Sequence, residues 1–182
     1  AFVSTGHGPL TDPHALEAMR LIDGNLVQMI ANPGDIALRE KIMLGSMQAG
    51  LAFSNAILGA VHAMSHSLGG YLDLPHGLCN AALVEHVVAF NYSAAPERFK
   101  VIAETFGIDC RGLTQAQVRQ RLVDHLIAFK RAVGFHESLA LHGVGSSDIP
   151  FLSRHAMQDP CILTNPRESS QRDVEVVYGE AL

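Results

Sequence analysis

Apolar residues recur along this chain at helical spacing. After Asp12-Pro13, the positions Leu16, Met19, Ile22, Leu26 and Met29 fall on one stripe of an amphipathic helix. Asp12 reads as its N-cap with Pro13 in the first turn, and Asn32-Pro33-Gly34 stops it. Asp35 then caps a second helix, expected to run to about Val61 or beyond. Its apolar positions go nearly all round from Ile42 to Val61, which predicts a central, buried helix. His62 and His66 fall at its C-terminal end, before a break at Gly69-Gly70. Further helices are predicted from Leu78 to about Ser93, from Pro96 to Phe106, from the capping box Thr114-x-x-Gln117 to Gly134, from Asp148 to about Gln158, and from Ser170 to the C-terminus. Val174-Glu-Val-Val-Tyr178 is the best strand candidate, but its Ser-Ser lead-in favours a helix. The pattern therefore predicts an all-α fold, a single multi-helix bundle of about seven helices over residues 1–182.

Composition narrows the function. Charged residues make up 17% of the chain, below the ~25% usual for soluble domains, so part of the surface is expected to be covered by another domain or by self-association into a homo-oligomer. A net charge of −5 without a Lys/Arg cluster gives no electrostatic basis for nucleic-acid binding. No run is long and apolar enough to predict a membrane span. Cys79, Cys110 and Cys161 are odd in number and form no C-x-x-C, which fits reduced thiols in a cytoplasmic protein. The start at Ala1-Phe-Val-Ser4 reads as the tail of a helix, and a fragment or excised domain is expected.

The chemistry concentrates in one stretch. His62, His66 and His76 lie within fifteen residues among small and apolar side chains. His62 and His66, four apart, share a helix face. His76 falls near a helix N-terminus, where the dipole favours the neutral, metal-ready ring. Three imidazoles with an open position would suit a catalytic zinc. Two of them with Asp73 would suit non-haem iron(II). Satisfied core histidines are the third possibility. H-E-x-x-H, G-x-S-x-G, G-x-G-x-x-G and Walker motifs are absent. His7, His14, His125, His136, His142 and His155 read as solvated or capping residues, His86 is a weaker pocket candidate, and Cys161 reads by default as a buried structural thiol.

The segment His62-Ala-Met-Ser-His66-Ser-Leu-Gly-x5-Pro-His76-Gly resembles the signature of the iron-containing (group III) alcohol dehydrogenases. Pro9-Leu-Thr-Asp12, Asn80-Ala-x-Leu83 through His86 to Asn91, and Asp159-Pro-Cys161-x-Leu-Thr-Asn-Pro-Arg167 extend the likeness over nearly the whole chain. The resemblance implies the helical C-terminal domain of an enzyme that also carries an N-terminal α/β nucleotide-binding domain, absent from this chain. It implies a divalent metal, Fe2+ or sometimes Zn2+, in the cleft between the two, held by one Asp and three His. Two of those His correspond to His62 and His76. His66 corresponds to a residue beside the nicotinamide that relays protons, and Phe53, Leu58 and Cys161 to positions lining the substrate pocket. The remaining Asp and His, a D-x3-H pair upstream of Ala1, and the Gly-rich loop for NAD or NADP are not in this chain. The implied reaction is hydride transfer between a small alcohol or aldehyde and NAD(P), with the fragment alone inactive. A self-contained helical zinc enzyme using His62, His66 and His76, and a non-catalytic helical interaction domain, stand as alternatives.

Overall fold

The computed structural model describes all residues from Ala1 to Leu182. It contains eight α-helices and no strand: α1 (Asp12–Ala31), α2 (Ile36–Ala56), α3 (Ala60–Leu72), α4 (His76–Asn91), α5 (Pro96–Thr105), α6 (Gln115–Ala132), α7 (Ile149–Ala156) and α8 (Gln171–Glu180). Short 3-10 turns connect several of them, among them Pro160–Thr164. The eighth helix arises because the long second helix that the apolar pattern predicts is in fact two.

Local chemistry sets most helix ends. The Asp35 side chain accepts from Leu38 N at 3.1 Å to start α2. Reciprocal capping boxes open α6 at Thr114/Gln117 and α8 at Ser170/Asp173. The α8 box is why Val174–Tyr178 is helical despite its β-branched residues. At α1 the N-cap is Thr11, not Asp12, and it makes no side-chain cap bond. Asp12 is withdrawn from capping by Arg98, whose Nη2 donates to Oδ1 at 2.7 Å. Gly69-Gly70 does not break α3. The helix continues to Leu72 and ends at Asp73, which adopts a left-handed conformation (φ 54°).

The main core lies under α3. Met64 and Leu68 pack with Leu83, Val87, Leu152, Val174, Val177 and Tyr178. Two polar bonds fasten α3 to its neighbours: Tyr178 Oη donates to Met64 O at 2.7 Å, and Ser67 Oγ donates to Leu152 O at 2.8 Å. A second cluster joins α5 and α6 through Phe99, Ala103, Val118 and Leu122, and a small third one joins Phe2, Ala15 and Ala52.

The second helix departs most from expectation. It is not central: Met43 is 71% and Met47 55% exposed, and only Gly45, Ala52 and Ala56 are buried along it. Its close partner is α1 alone. A Cβ at Gly45 would meet Ile22 Cγ1 at 2.9 Å and Leu21 Cβ at 3.2 Å, so glycine sets that crossing distance. Apolar surface on the other faces of α2 stays open, which is why an all-round hydrophobic pattern misled. No single helix is long and apolar enough to cross a membrane; α2 and α3 reach that length only together, and they are bent by 101°.

Candidate metal centre

The site begins with that bend. Ile57 sits at φ 58°, Leu58 and Gly59 follow, and α3 restarts at Ala60. Distant residues hold the corner. Ser4 Oγ donates to Ala56 O at 2.5 Å, Thr164 Oγ1 donates to Leu58 O at 2.8 Å, and Ala60 N donates to Asn165 Oδ1 at 3.0 Å. Asn165 thereby acts as a remote N-cap for α3, in place of the side chain that Gly59 lacks. A Cβ at Gly59 would lie 2.9 Å from Asn165 Oδ1, so the cap requires glycine there. Asn165 is itself fixed by buried Asn91, through amide bonds of 2.8 Å in both directions.

This geometry corrects the placement of the histidines. His62 and His66 lie in the first two turns of α3, not at the end of α2. His76 opens α4, which starts two residues before the Leu78 expected from the sequence and takes His76 from the preceding loop into its first turn. The three rings converge: centroids are 5.1 Å apart for His62–His76, 5.2 Å for His66–His76 and 6.0 Å for His62–His66.

Each ring has a different environment. Burial, then the neighbouring His76 and His66, pull the His62 pKa down to about 4, so the ring is neutral near pH 7 with a lone pair free to bind. At His76, Ser65 Oγ donates to Asn80 Oδ1 at 2.8 Å, which leaves the Asn80 amide nitrogen to donate to His76 Nε2 at 2.9 Å. That network leaves Nε2 unprotonated, and a metal would bind it by displacing the Asn80 amide from its lone pair. At His66, Nδ1 lies 2.8 Å from Asp159 Oδ2. Partial burial works against ionisation of Asp159, but hydrogen bonds from the Cys161 amide and His66 outweigh it and hold the carboxyl below its usual range. An ionised Asp159 accepts, so His66 Nδ1 carries the proton and Nε2 is free.

Asp159, not Asp73, is therefore the carboxylate of the cluster. Asp73 caps the far end of α3. In the sequence Asp159 stands only within a loop motif; Asp-Pro before a cysteine is the available signal, since Asp159 Oδ1 caps that turn through Cys161 N at 2.8 Å. Cys161 is half-buried beside Asp159, not a thiol sealed in the core. Burial and the adjacent carboxylate push its pKa up to about 11.

Beside His62 lies an apolar hollow of about 490 Å³ beneath α1 and α2, whose walls include Phe53, Leu58, Ile102, Phe129 and His62. Phe53 and Leu58 thus share one wall with His62, while Cys161 stands apart from that hollow, with Asp159 and His66. Among the other histidines, His125 Nε2 pairs with Asp23 at 2.6 Å and His142 Nε2 with Glu137 at 2.5 Å, so neither is simply solvated. His86 lines a separate polar cavity with Glu85 and Lys130.

A family model, the C-terminal part of the Fe-containing alcohol dehydrogenase family, matches residues 1–182. The chain belongs to the iron-containing alcohol dehydrogenase family. It is 36% identical over 181 residues to 1,3-propanediol dehydrogenase of Klebsiella pneumoniae, covering all of this chain and 47% of that protein. It is 38% identical over 182 residues to NAD-dependent methanol dehydrogenase of Bacillus methanolicus, covering 100% of this chain and 48% of that one. The solved alcohol dehydrogenase from Oenococcus oeni superposes with a TM-score of 0.96 at 34% identity, over 100% of this chain and 47% of its own. The chain thus spans about half the length of the relatives it matches, and its helical fold is that of the C-terminal part of iron-containing alcohol dehydrogenases.

Proposed function

We propose that this chain is the metal- and substrate-facing half of an NAD(P)-dependent alcohol dehydrogenase. The observation that carries this reading is the convergence of His62 and His76, 5.1 Å apart at their centroids, next to an apolar hollow. A neutral His62 and an acceptor nitrogen on His76 fit one edge of a divalent-metal site. They are two ligands, so the set is completed from outside this chain. An N-terminal nucleotide-binding domain, which the length of the relatives leaves room for, would supply the other ligands and the cradle for NAD or NADP.

In this reading, His62 and His76 would hold Fe2+ or Zn2+, which would supply Lewis acidity to a substrate oxygen. Phe53 and Leu58 press a small alcohol or aldehyde against that edge and exclude water from it, and Cys161 borders the site on the side of His66. His66 moves the proton. With Nδ1–H held by Asp159, its Nε2 accepts the proton released as the alcohol is oxidised and returns it in the reverse direction. Asp159 stabilises the imidazolium during the exchange and keeps the ring from turning. A bound nicotinamide would supply the redox chemistry as hydride acceptor or donor.

Metal retention tests the assignment. After equilibrium dialysis against Fe2+, His62→Ala and His76→Ala should each cut iron binding by tenfold or more, while His66→Ala keeps it. Equal loss in all three variants would favour a self-contained three-histidine zinc site instead. The 182-residue chain by itself should produce no NAD(P)H from alcohols, and steady turnover by it would refute the division of labour between the two halves.

A further inference from the structure

His66, Asp159 and Cys161 form a set of their own. One ligand atom from each lies within 4.8 Å of the other two, and no other trio of His, Cys, Asp or Glu in the chain gathers in this way. The backbone builds the arrangement. Asp159 caps the Pro160–Thr164 turn with Oδ1 on Cys161 N, which leaves Oδ2 for His66 at 2.8 Å. Carboxylate and thiol are thus carried by one short capped segment, and the imidazole comes from α3. A nitrogen, oxygen and sulfur donor set is borderline-soft. It suits zinc or cobalt and disfavours the hard cations magnesium and calcium. Neither His62 nor His76 contributes to this trio.

We propose that His66, Asp159 and Cys161 form a second cation site, one that takes a thiophilic divalent metal such as Zn2+, adjacent to the His62–His76 pair but sharing no ligand with it. Loading is an exchange of protons for metal. The Cys161 S–H bond breaks, its proton leaves to solvent, and the thiolate sulfur binds the cation. The His66 proton moves from Nδ1 to Nε2 as the ring changes tautomer, Asp159 contributes an ionised oxygen, and water takes the fourth position. No electron is transferred. Occupation removes His66 from proton transfer. On the reading of His66 as proton carrier, which this consequence rests on, zinc here inhibits the dehydrogenase without displacing the metal from His62 and His76.

Cobalt provides the probe. Co2+ adopts zinc-like geometry, and a thiolate ligand gives it a near-ultraviolet charge-transfer band. Titration of the 182-residue chain with Co2+ should raise that band and saturate it at one equivalent per chain. The band should persist in the His62→Ala/His76→Ala double variant, vanish in Cys161→Ser, and weaken at least tenfold in apparent affinity in Asp159→Asn. Zn2+ should bleach it. Cys79 and Cys110 are buried and remain in every variant, so they are internal controls. Protection of Cys161 from alkylation by Zn2+ in the unsubstituted chain gives a readout that needs no variant. A band that survives Cys161→Ser, a band lost with His62 and His76, or a folded chain that shows neither band nor protection overturns the proposal. None of these results decides the role of His62 and His76, whose own test counts metal retained by dialysis.

Discussion

Asn165→Ala should loosen the helix that carries the histidines. Asn165 is 6% exposed and serves several groups at once. Its Oδ1 accepts from Ala60 N at 3.0 Å and from Asn91 Nδ2 at 2.8 Å, while its Nδ2 donates to Asn91 Oδ1 at 2.8 Å and to Arg167 O at 2.7 Å. Truncation removes an N-cap, about 1 kcal/mol. It also strands the amide of Asn91, which is 4% exposed, at a further cost of about 2 kcal/mol. The sum, about 3 kcal/mol, corresponds to roughly 10 °C in Tm for a domain of this size. Asn91→Ala is the comparison, since it breaks the amide pair but leaves the Ala60 acceptor in place. It should cost about 1 kcal/mol less. Urea unfolding measures both, and amide hydrogen exchange should accelerate at Ala63 and Met64 in Asn165→Ala before it does elsewhere. An Asn165→Ala loss below about 1 kcal/mol, or one equal to that of Asn91→Ala with exchange in α3 unchanged, refutes the remote cap.

Acid should weaken the metal-free chain through His62. The unfolded ring titrates near 6.5 and the folded one near 4, so between those values the unfolded state binds the extra proton and stability falls as pH drops. The full shift corresponds to ~3 kcal/mol, and solvent screening of a partly exposed ring leaves about 1–2 kcal/mol; His62→Gln should flatten urea midpoints measured from pH 7 to pH 4. Lys130→Met should cost about 3 kcal/mol by calorimetry, because it leaves Glu85, 8% exposed and ion-paired to Lys130, as an uncompensated buried charge. Adding Glu85→Gln to that variant should recover most of the loss. Ile57→Gly should be neutral or stabilising by about 1 kcal/mol, since φ 58° with ψ −166° is a region where a β-branched side chain is strained; a loss above about 1 kcal/mol in thermal melts contradicts that strain.

Much of this architecture was legible in local sequence. Capping boxes, proline positions and apolar spacing placed α1, α4, α5, α6, α7 and α8 within a residue or two, because those signals act over a single turn. The corner at residues 57–59 was not legible. Its anchors, Ser4 and Asn165, bond across 52 and 105 residues, and no local window contains them. Gly59 therefore looked like one more helix glycine, although it makes room for a side chain more than a hundred positions away. Asp159 was passed over for the same reason, since its partner His66 is 93 residues distant. The exposure of α2 escaped for a different cause: periodicity reports that a face is apolar, not whether anything in the same chain covers it. His62 and His76 could be read because their spacing and their apolar flanks survive in one dimension.

The hollow beside His62 bears on how this chain behaves in the laboratory. Alanines at 15, 18, 49 and 52 line it, and Phe53, Phe99 and Phe129 complete a greasy socket. Environment-sensitive dyes such as anilinonaphthalene sulfonate seek such places, and they ordinarily report partial unfolding. Here the native chain should already fluoresce with the dye, and heating should change that signal little until the socket itself dissolves. Dye-based melts would then register a disordered state that circular dichroism shows to be intact, and screening for stabilisers is better done by following helicity.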